Sequence, residues 1–245
     1  MVELLEIACV VDTGKRAVND DRAAVNGVFI DHGKCYVAES DEVCLAVVCD
    51  GVGGAPFGYK AAQIAAESVS RLYGEELTVR AIRETISSAN EKVLAAQKAD
   101  REHSGMATTV AGIYISGDDC IAFNVGDSRV YRLRTYLSQL STDHSRKQAQ
   151  IELGLIPTPG AEAELTRCIG CDNSAPEIVL GFGRVLKDDI YILCTDGVWG
   201  ELDDDDFIKS LSKKSSIEKA AESLVDLAKE KGSQDNLSII IIRRI

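Results

Sequence analysis

Ala107-Thr108-Thr109-Val110-Ala111-Gly112-Ile113-Tyr114-Ile115-Ser116-Gly117-Asp118-Asp119-Cys120-Ile121-Ala122-Phe123-Asn124-Val125 holds two apolar runs and one turn. The runs, 107–115 and 119–125, are rich in β-branched and aromatic residues, as buried strands are. Gly117-Asp118 between them is a hairpin dipeptide, so the two strands are predicted to pair antiparallel. A further strand is predicted at 129–133. Outward from this hairpin, strands are predicted at 3–12, 24–30, 43–49, 190–195 and 237–243, with His32-Gly33 marking a loop. Ala61, Ala62, Ile64, Ala65, Val69 and Leu72 instead recur at helical spacing, with Gly74 as a stop. A second helix is predicted over 78–100, where Ile82, Ile86, Ala89, Val93 and Ala96 form one stripe. Shorter helices are expected at 146–153, 203–212 and 216–230. Residues 154–188 carry prolines and glycines without a sustained period and read as a loop-rich excursion. Hairpins with segregated helices indicate an α+β layered sandwich rather than a doubly wound sheet.

The chain has 245 residues, 45% hydrophobic and 27% charged, which suits one soluble domain with a substantial core. Its net charge of −12 argues against nucleic acid or an anionic membrane as a generic partner. No apolar run is long enough to span a bilayer, and Met1-Val2-Glu3-Leu4-Leu5-Glu6 carries acid where a secretory signal carries base. A cytoplasmic location is expected. Asp203-Asp204-Asp205-Asp206 is read as solvated surface. Of the eight cysteines, Cys9, Cys44, Cys49, Cys120 and Cys194 lie in strand-like runs as small hydrophobes, so no disulfide framework is predicted. Cys168-Ile169-Gly170-Cys171 reads as two loop thiols, with a redox pair as the alternative. It lacks the second close ligand pair that a structural zinc requires.

Three apolar runs end or begin on an Asp. Asp50 closes Cys44-Leu45-Ala46-Val47-Val48-Cys49, Asp196 closes Ile190-Tyr191-Ile192-Leu193-Cys194-Thr195, and Asp235 precedes Leu237-Ser238-Ile239-Ile240-Ile241-Ile242. Strands that deliver carboxylates to one rim of a sheet suit a hard cation such as Mg²⁺ or Mn²⁺. Gly126-Asp127-Ser128-Arg129 offers a fourth strand-end acid, although any single Asp-Gly pair is more simply a turn. The segment Asp12–Asp21 adds two adjacent acids, Asp20 and Asp21, and a guanidinium, Arg16, whose planar fork matches two phosphate oxygens.

Taken in order, these segments resemble the metal-dependent protein phosphatases of type 2C. The resemblance rests on Gly14-x-x-Arg16-x-x-Asn19-Asp20-Asp21, Asp50-Gly51-Val52-Gly53-Gly54 with Gly58 following, and Gly105-Met106-Ala107-Thr108-Thr109. It continues through Val125-Gly126-Asp127-Ser128-Arg129, Thr142-x-His144-Ser145, Thr195-Asp196-Gly197-Val198 and Asp235-Asn236. It implies an α-β-β-α sandwich, two antiparallel sheets face to face and flanked by helix pairs, with a metal centre in a cleft at one end. It also implies two Mg²⁺ or Mn²⁺ ions, with room for a weaker third. Asp50 bridges them, Asp196 and Asp235 complete the first, Asp20 and the Gly51 carbonyl serve the second, and Asp127 helps hold the third. Arg16 grips the substrate phosphate and Asp21 orients water. The implied reaction is hydrolysis of phosphoserine and phosphothreonine in phosphorylated proteins, by direct attack of a metal-bridging hydroxide. The expected unit is a single domain, 1–245, acting as a monomer.

Two positions depart from the family pattern. Asp20 stands where Glu is usual, one methylene shorter, and Val52 stands where some members carry a His after the Asp-Gly pair. The general acid is therefore unassigned; His144 is read as structural, His32 and His103 as surface residues, and Trp199 as core or cleft wall. Residues 146–188 fall where bacterial relatives carry a flap. Two other readings stay open: a catalytically weak or silent phosphoprotein-binding module, and a phosphatase for small phosphate esters.

Overall fold

The computed structural model describes residues 4–39, 43–52, 57–75, 78–171, 178–211 and 216–245. Gly53-Gly54 of the Asp50 motif, residues 1–3 and part of the 146–188 excursion lie outside these ranges. Two six-stranded sheets, antiparallel throughout, stack face to face. The strands are β1 (Leu5–Asp12), β2 (Arg22–Val25), β3 (Val28–Ile30), β4 (Gly33–Glu39), β5 (Val43–Cys49), β6 (Val110–Ser116), β7 (Asp119–Val125), β8 (Arg129–Leu133), β9 (Leu137–Gln139), β10 (Val179–Arg184), β11 (Ile190–Cys194) and β12 (Leu237–Arg244). One sheet runs β4-β1-β12-β11-β8-β9 and the other β10-β7-β6-β5-β2-β3.

The layering follows from which strand faces are apolar. Ile7, Cys9, Cys44, Ala46, Ile113, Leu193 and Ile240 fill the space between the sheets. Because side chains alternate across a strand, the neighbouring residues of the same runs point the other way. In the second sheet, Leu45, Val47 and Phe123 meet α1 (Gly58–Ser70) and α2 (Val79–Ala99) through Ala61, Ala65, Ile82 and Ile86. In the first, Ile239, Ile241 and Ile192 meet α5 (Asp204–Ser210) and α6 (Ile217–Lys231) through Phe207, Leu224 and Val225. Strands apolar on both faces read as continuous hydrophobic runs, which is why β5, β11 and β12 stand out in the sequence. A seven-residue α3 (Arg146–Glu152) and a single turn, α4 (Asp196–Trp199), complete the helices.

Several expectations need correction. The segment 24–30 is not one strand but β2 and β3 joined at Asn26-Gly27, where Asn26 takes φ 48°. The loop expected after His32-Gly33 is the edge strand β4, paired with β1 from Leu5↔Glu39 to Val11↔Gly33. The excursion 146–188 is not loop to its end, because Val179–Arg184 adds β10 to the edge of β7. The acidic run 203–206 is only partly solvated surface. Asp203 and Asp206 form a reciprocal capping box on α5, at 3.0 and 2.8 Å, and Asp206 pairs with Lys231.

Candidate metal centre

The ends of β5, β7 and β11 and the start of β12 open onto one cleft of about 520 Å³. Asp50 follows β5, Asp127 lies in the β7–β8 turn, Asp196 begins α4 and Asp235 precedes β12; all four line this cleft. Arg16, Asp20 and Gly51 line it too. Asp21 sits beneath, 1% exposed, its Oδ2 accepting from Thr195 Oγ1 at 2.8 Å.

Gly51 and Gly58 explain how the backbone reaches the site. A Cβ on Gly51 would lie 2.4 Å from the Gly58 carbonyl carbon, so α1 begins directly against the Asp50-Gly51 segment. Gly14 holds the front of the cleft in the same manner. Its φ is +60° and a Cβ there would sit 2.0 Å from the Asp235 carbonyl oxygen.

The acids repel one another. The Asp50 and Asp196 carboxyls lie within hydrogen-bond reach. Burial, followed by the charges of Asp196, Asp21 and Asp127, pushes the Asp50 carboxyl well above the usual carboxylate range. Burial and the Asp235 charge also raise Asp196. Burial pushes Asp21 up to about 7 despite the hydrogen bond from Thr195, and burial with the Asp196 and Asp143 charges pushes Asp127 up to about 7. Such a set is relieved by protons or by cations.

Among the described residues, no three His, Cys, Asp or Glu side chains form a ready-made ion cage. Two of the sequence-predicted ligands face other partners. Asp20 Oδ1 accepts from the Tyr59 amide at 2.9 Å, satisfying a donor in the first turn of α1. Asp235 Oδ2 accepts from Arg16 at 2.7 Å. The donor set still fits a magnesium-like ion, which keeps several waters and takes one or two carboxylates. Asp50 and Asp196, which both line the cleft, could supply those two.

Other motif residues, beyond those given a role from the sequence, position the site. Asn236 staples the front loop: its Oδ1 accepts from the Asp20 amide at 2.8 Å, and its Nδ2 donates to the Thr13 and Val18 carbonyls at 2.8 and 3.0 Å. Thr109 Oγ1 accepts from the Asp50 amide at 3.0 Å and shares a 2.6 Å hydrogen bond with Ser128. His144 Nδ1 accepts from the Gly126 amide at 3.0 Å, the structural role expected of it. His103 is not a plain surface residue, since its ring packs edge-on to Phe57 at 4.7 Å between centroids. Trp199 forms a cleft wall, with the Arg129 guanidinium 3.5 Å from its ring centroid.

The sequence model of the family described as Protein phosphatase 2C matches residues 19–238. The chain belongs to the protein phosphatase 2C family. Among curated members, the serine/threonine phosphatase stp of Listeria monocytogenes is 25% identical over 237 residues, covering 91% of this chain and 93% of the relative. The serine/threonine protein phosphatase PstP of Mycobacterium tuberculosis is 24% identical over 204 residues, covering 80% of this chain and 40% of PstP. Among solved structures, PppA of Pseudomonas aeruginosa superposes with a TM-score of 0.82 at 27% identity, covering 98% of each chain. The catalytic domain of PstP, solved with two manganese ions, superposes with a TM-score of 0.81 at 24% identity, covering 99% of each. These likenesses agree with the α-β-β-α architecture read for this 2C chain. Among the described residues no helix is long and apolar enough to cross a membrane.

One cysteine reading is overturned. Cys168 and Cys171 are joined as a disulfide, with Cα atoms 5.4 Å apart. The tight turn at Ile169-Gly170, where Gly170 takes φ +90°, brings the two residues within bridging range. The remaining six cysteines form no disulfide, and five of them are buried.

Proposed function

We propose that this chain is a Mg²⁺- or Mn²⁺-dependent serine/threonine phosphoprotein phosphatase, residues 1–245 acting as one catalytic domain and as a monomer. The observation that carries the reading is the meeting of Asp50, Asp127, Asp196, Asp235 and Arg16 on one cleft, in a chain matched by the 2C family over residues 19–238. The relatives named serine/threonine phosphatase, and the two manganese ions of the PstP catalytic domain, support it.

Asp50 and Asp196 hold the ions, with Asp20, the Gly51 carbonyl and Asp235 as further ligands and Asp127 toward a third. Such ions polarise phosphoryl oxygens and lower the pKa of bound water. The protein supplies the rest. Arg16, about half exposed and paired only at one end to Asp235, turns its fork to two phosphate oxygens. Asp21, fixed by Thr195, orients water at the cleft floor. Retention of the full acid set with Arg16 weighs against the silent binding module.

The test is hydrolysis of phosphoserine, phosphothreonine and phosphotyrosine peptides and of nucleotides, each with Mn²⁺, Mg²⁺ or EDTA. Metal-dependent turnover of the phosphoserine and phosphothreonine peptides is expected. Turnover that survives EDTA overturns the metal reading, and turnover confined to nucleotides moves the substrate class to small esters.

A further inference from the structure

Cys168 and Cys171 both line the cleft that holds Asp50, Asp127, Asp196 and Asp235. Nothing in phosphate hydrolysis uses them. Their loop is tied to the metal-holding backbone by an unbroken ladder. Ile169 exchanges two backbone hydrogen bonds with Thr108, at 3.0 and 2.8 Å. Thr108 bridges Gly51, and its Oγ1 donates to the Asp50 carbonyl at 2.8 Å. The Thr109 amide donates to the same carbonyl at 2.8 Å. On its other side, Gly170 is pinned to α2: its amide donates to Asn90 Oδ1 at 2.7 Å and its carbonyl accepts from Gln97 Nε2 at 2.8 Å. The disulfide joins the two residues that flank this hydrogen-bonded turn.

The two sulfurs differ in access. Cys168 is 5% exposed, whereas Cys171 lies at the surface. A disulfide with one reachable sulfur, in a chain whose other six cysteines form no disulfide, has the properties of an exchange site rather than a structural staple.

We infer that Cys168–Cys171 is a thiol–disulfide exchange site on the metal cleft, opened by a dithiol reductant, and that its opening weakens metal binding at Asp50 and Gly51. A thiolate of the reductant attacks Cys171 Sγ, forming a mixed disulfide and breaking the bond to Cys168. Cys168 leaves as a thiolate and takes a proton from solvent. The second thiolate of the reductant attacks the reductant's own sulfur in the mixed disulfide and releases Cys171, which is protonated in turn. Two electrons and two protons reach the pair, and the reductant departs as a disulfide. A disulfide of the same class runs the exchange backwards. The oxidised turn holds Ile169 against Thr108, and so holds the backbone of Asp50. The reduced turn loses this covalent closure and rests on its hydrogen bonds to Thr108, Asn90 and Gln97.

The regulatory consequence rests on the phosphatase reading, but the site itself does not, and the experiment separates them. Full-length protein is treated with dithiothreitol or with oxidised glutathione and desalted anaerobically. It is then alkylated under denaturing conditions for thiol counting, and in parallel titrated with Mn²⁺ by calorimetry. Six free thiols are expected after oxidised glutathione and eight after dithiothreitol. The Mn²⁺ dissociation constant should rise about tenfold on reduction, the size typical of losing a group that supports metal ligands. Cys171→Ser should bind Mn²⁺ as the reduced wild type does and ignore dithiothreitol. Eight thiols under both treatments, or equal Mn²⁺ affinity in both states, overturns the inference, and neither measurement needs the variant to fold. Metal-dependent turnover that ignores redox state sinks the inference and spares the phosphatase reading. Absence of turnover in both states does the reverse, provided thiol count and Mn²⁺ affinity respond.

Discussion

Replacing Asp127 with Asn removes a carboxyl that is 7% exposed and pushed up to about 7 by burial and by the Asp196 and Asp143 charges. In the unfolded chain the same group titrates near 3.8. Between those two values the metal-free native state holds a proton that the unfolded state has released. Stability from this group is therefore greatest below 3.8, falls as pH rises, and is fully lost above about 7. From pH 5 to pH 7 the slope of ~1.4 kcal/mol per pH unit amounts to about 3 kcal/mol. The neutral isostere carries no such slope. In a chain of this length, roughly 2–4 °C of melting temperature per kcal/mol converts that difference to roughly 6–12 °C. Thermal melts in EDTA at pH 5 and pH 8 provide the assay. Asp127→Asn should gain on the wild type by that amount between the two pH values, and saturating Mn²⁺ should shrink the gap by compensating the wild-type carboxylate. A wild-type-to-variant difference that is flat with pH, or one that moves the other way, refutes the assignment of Asp127 to a crowded, cation-seeking cluster.

Asp196→Asn should leave the fold intact by circular dichroism and reduce turnover to background, because it removes one of the two carboxylates facing each other at the cleft floor. Arg16→Ala should raise KM by about tenfold with little change in kcat, the loss of one charge-assisted hydrogen-bond pair to phosphate; a fall in kcat alone would contradict the role. Gly14→Ala should destabilise the protein by at least about 2 kcal/mol in urea unfolding, since its φ of +60° and its contact with the Asp235 carbonyl both oppose a Cβ. Asn236→Ala should weaken Mn²⁺ binding measurably by calorimetry without touching a carboxylate, because three hydrogen bonds from one amide fix the loop that carries Arg16 and Asp20.

The strands that sequence patterning missed or merged include all four sheet edges. By pattern alone β3 merges into β2, β4 reads as loop, β9 has no signal and β10 falls within the excursion. An edge strand pairs on one side only, so its residues need not be apolar on both faces. β10 carries Gly181 and Gly183 and an exposed Phe182, and its strand identity comes from β7. The central strands sit between helices and the opposite sheet, and their unbroken apolar runs announced them. The site divides along the same line. Acids at strand ends are legible because the strand run and the Asp-Gly turn are both local. That Asp20 faces Tyr59, that Arg16 lies on Asp235, and that Asn236 holds Thr13 and Val18 are contacts between segments far apart in the chain. No spacing encodes them. The disulfide escaped because two residues between cysteines suit a free pair as well as a bonded one; the pairing is seen only in the folded turn.

The most direct measurement is anomalous diffraction at the manganese edge from crystals soaked in Mn²⁺. The account predicts two peaks in the cleft, the stronger pair of contacts running to the Asp50 and Asp196 carboxylates, with Arg16 released from Asp235. Peaks confined to other surfaces, with Asp50 and Asp196 still facing each other, would contradict it.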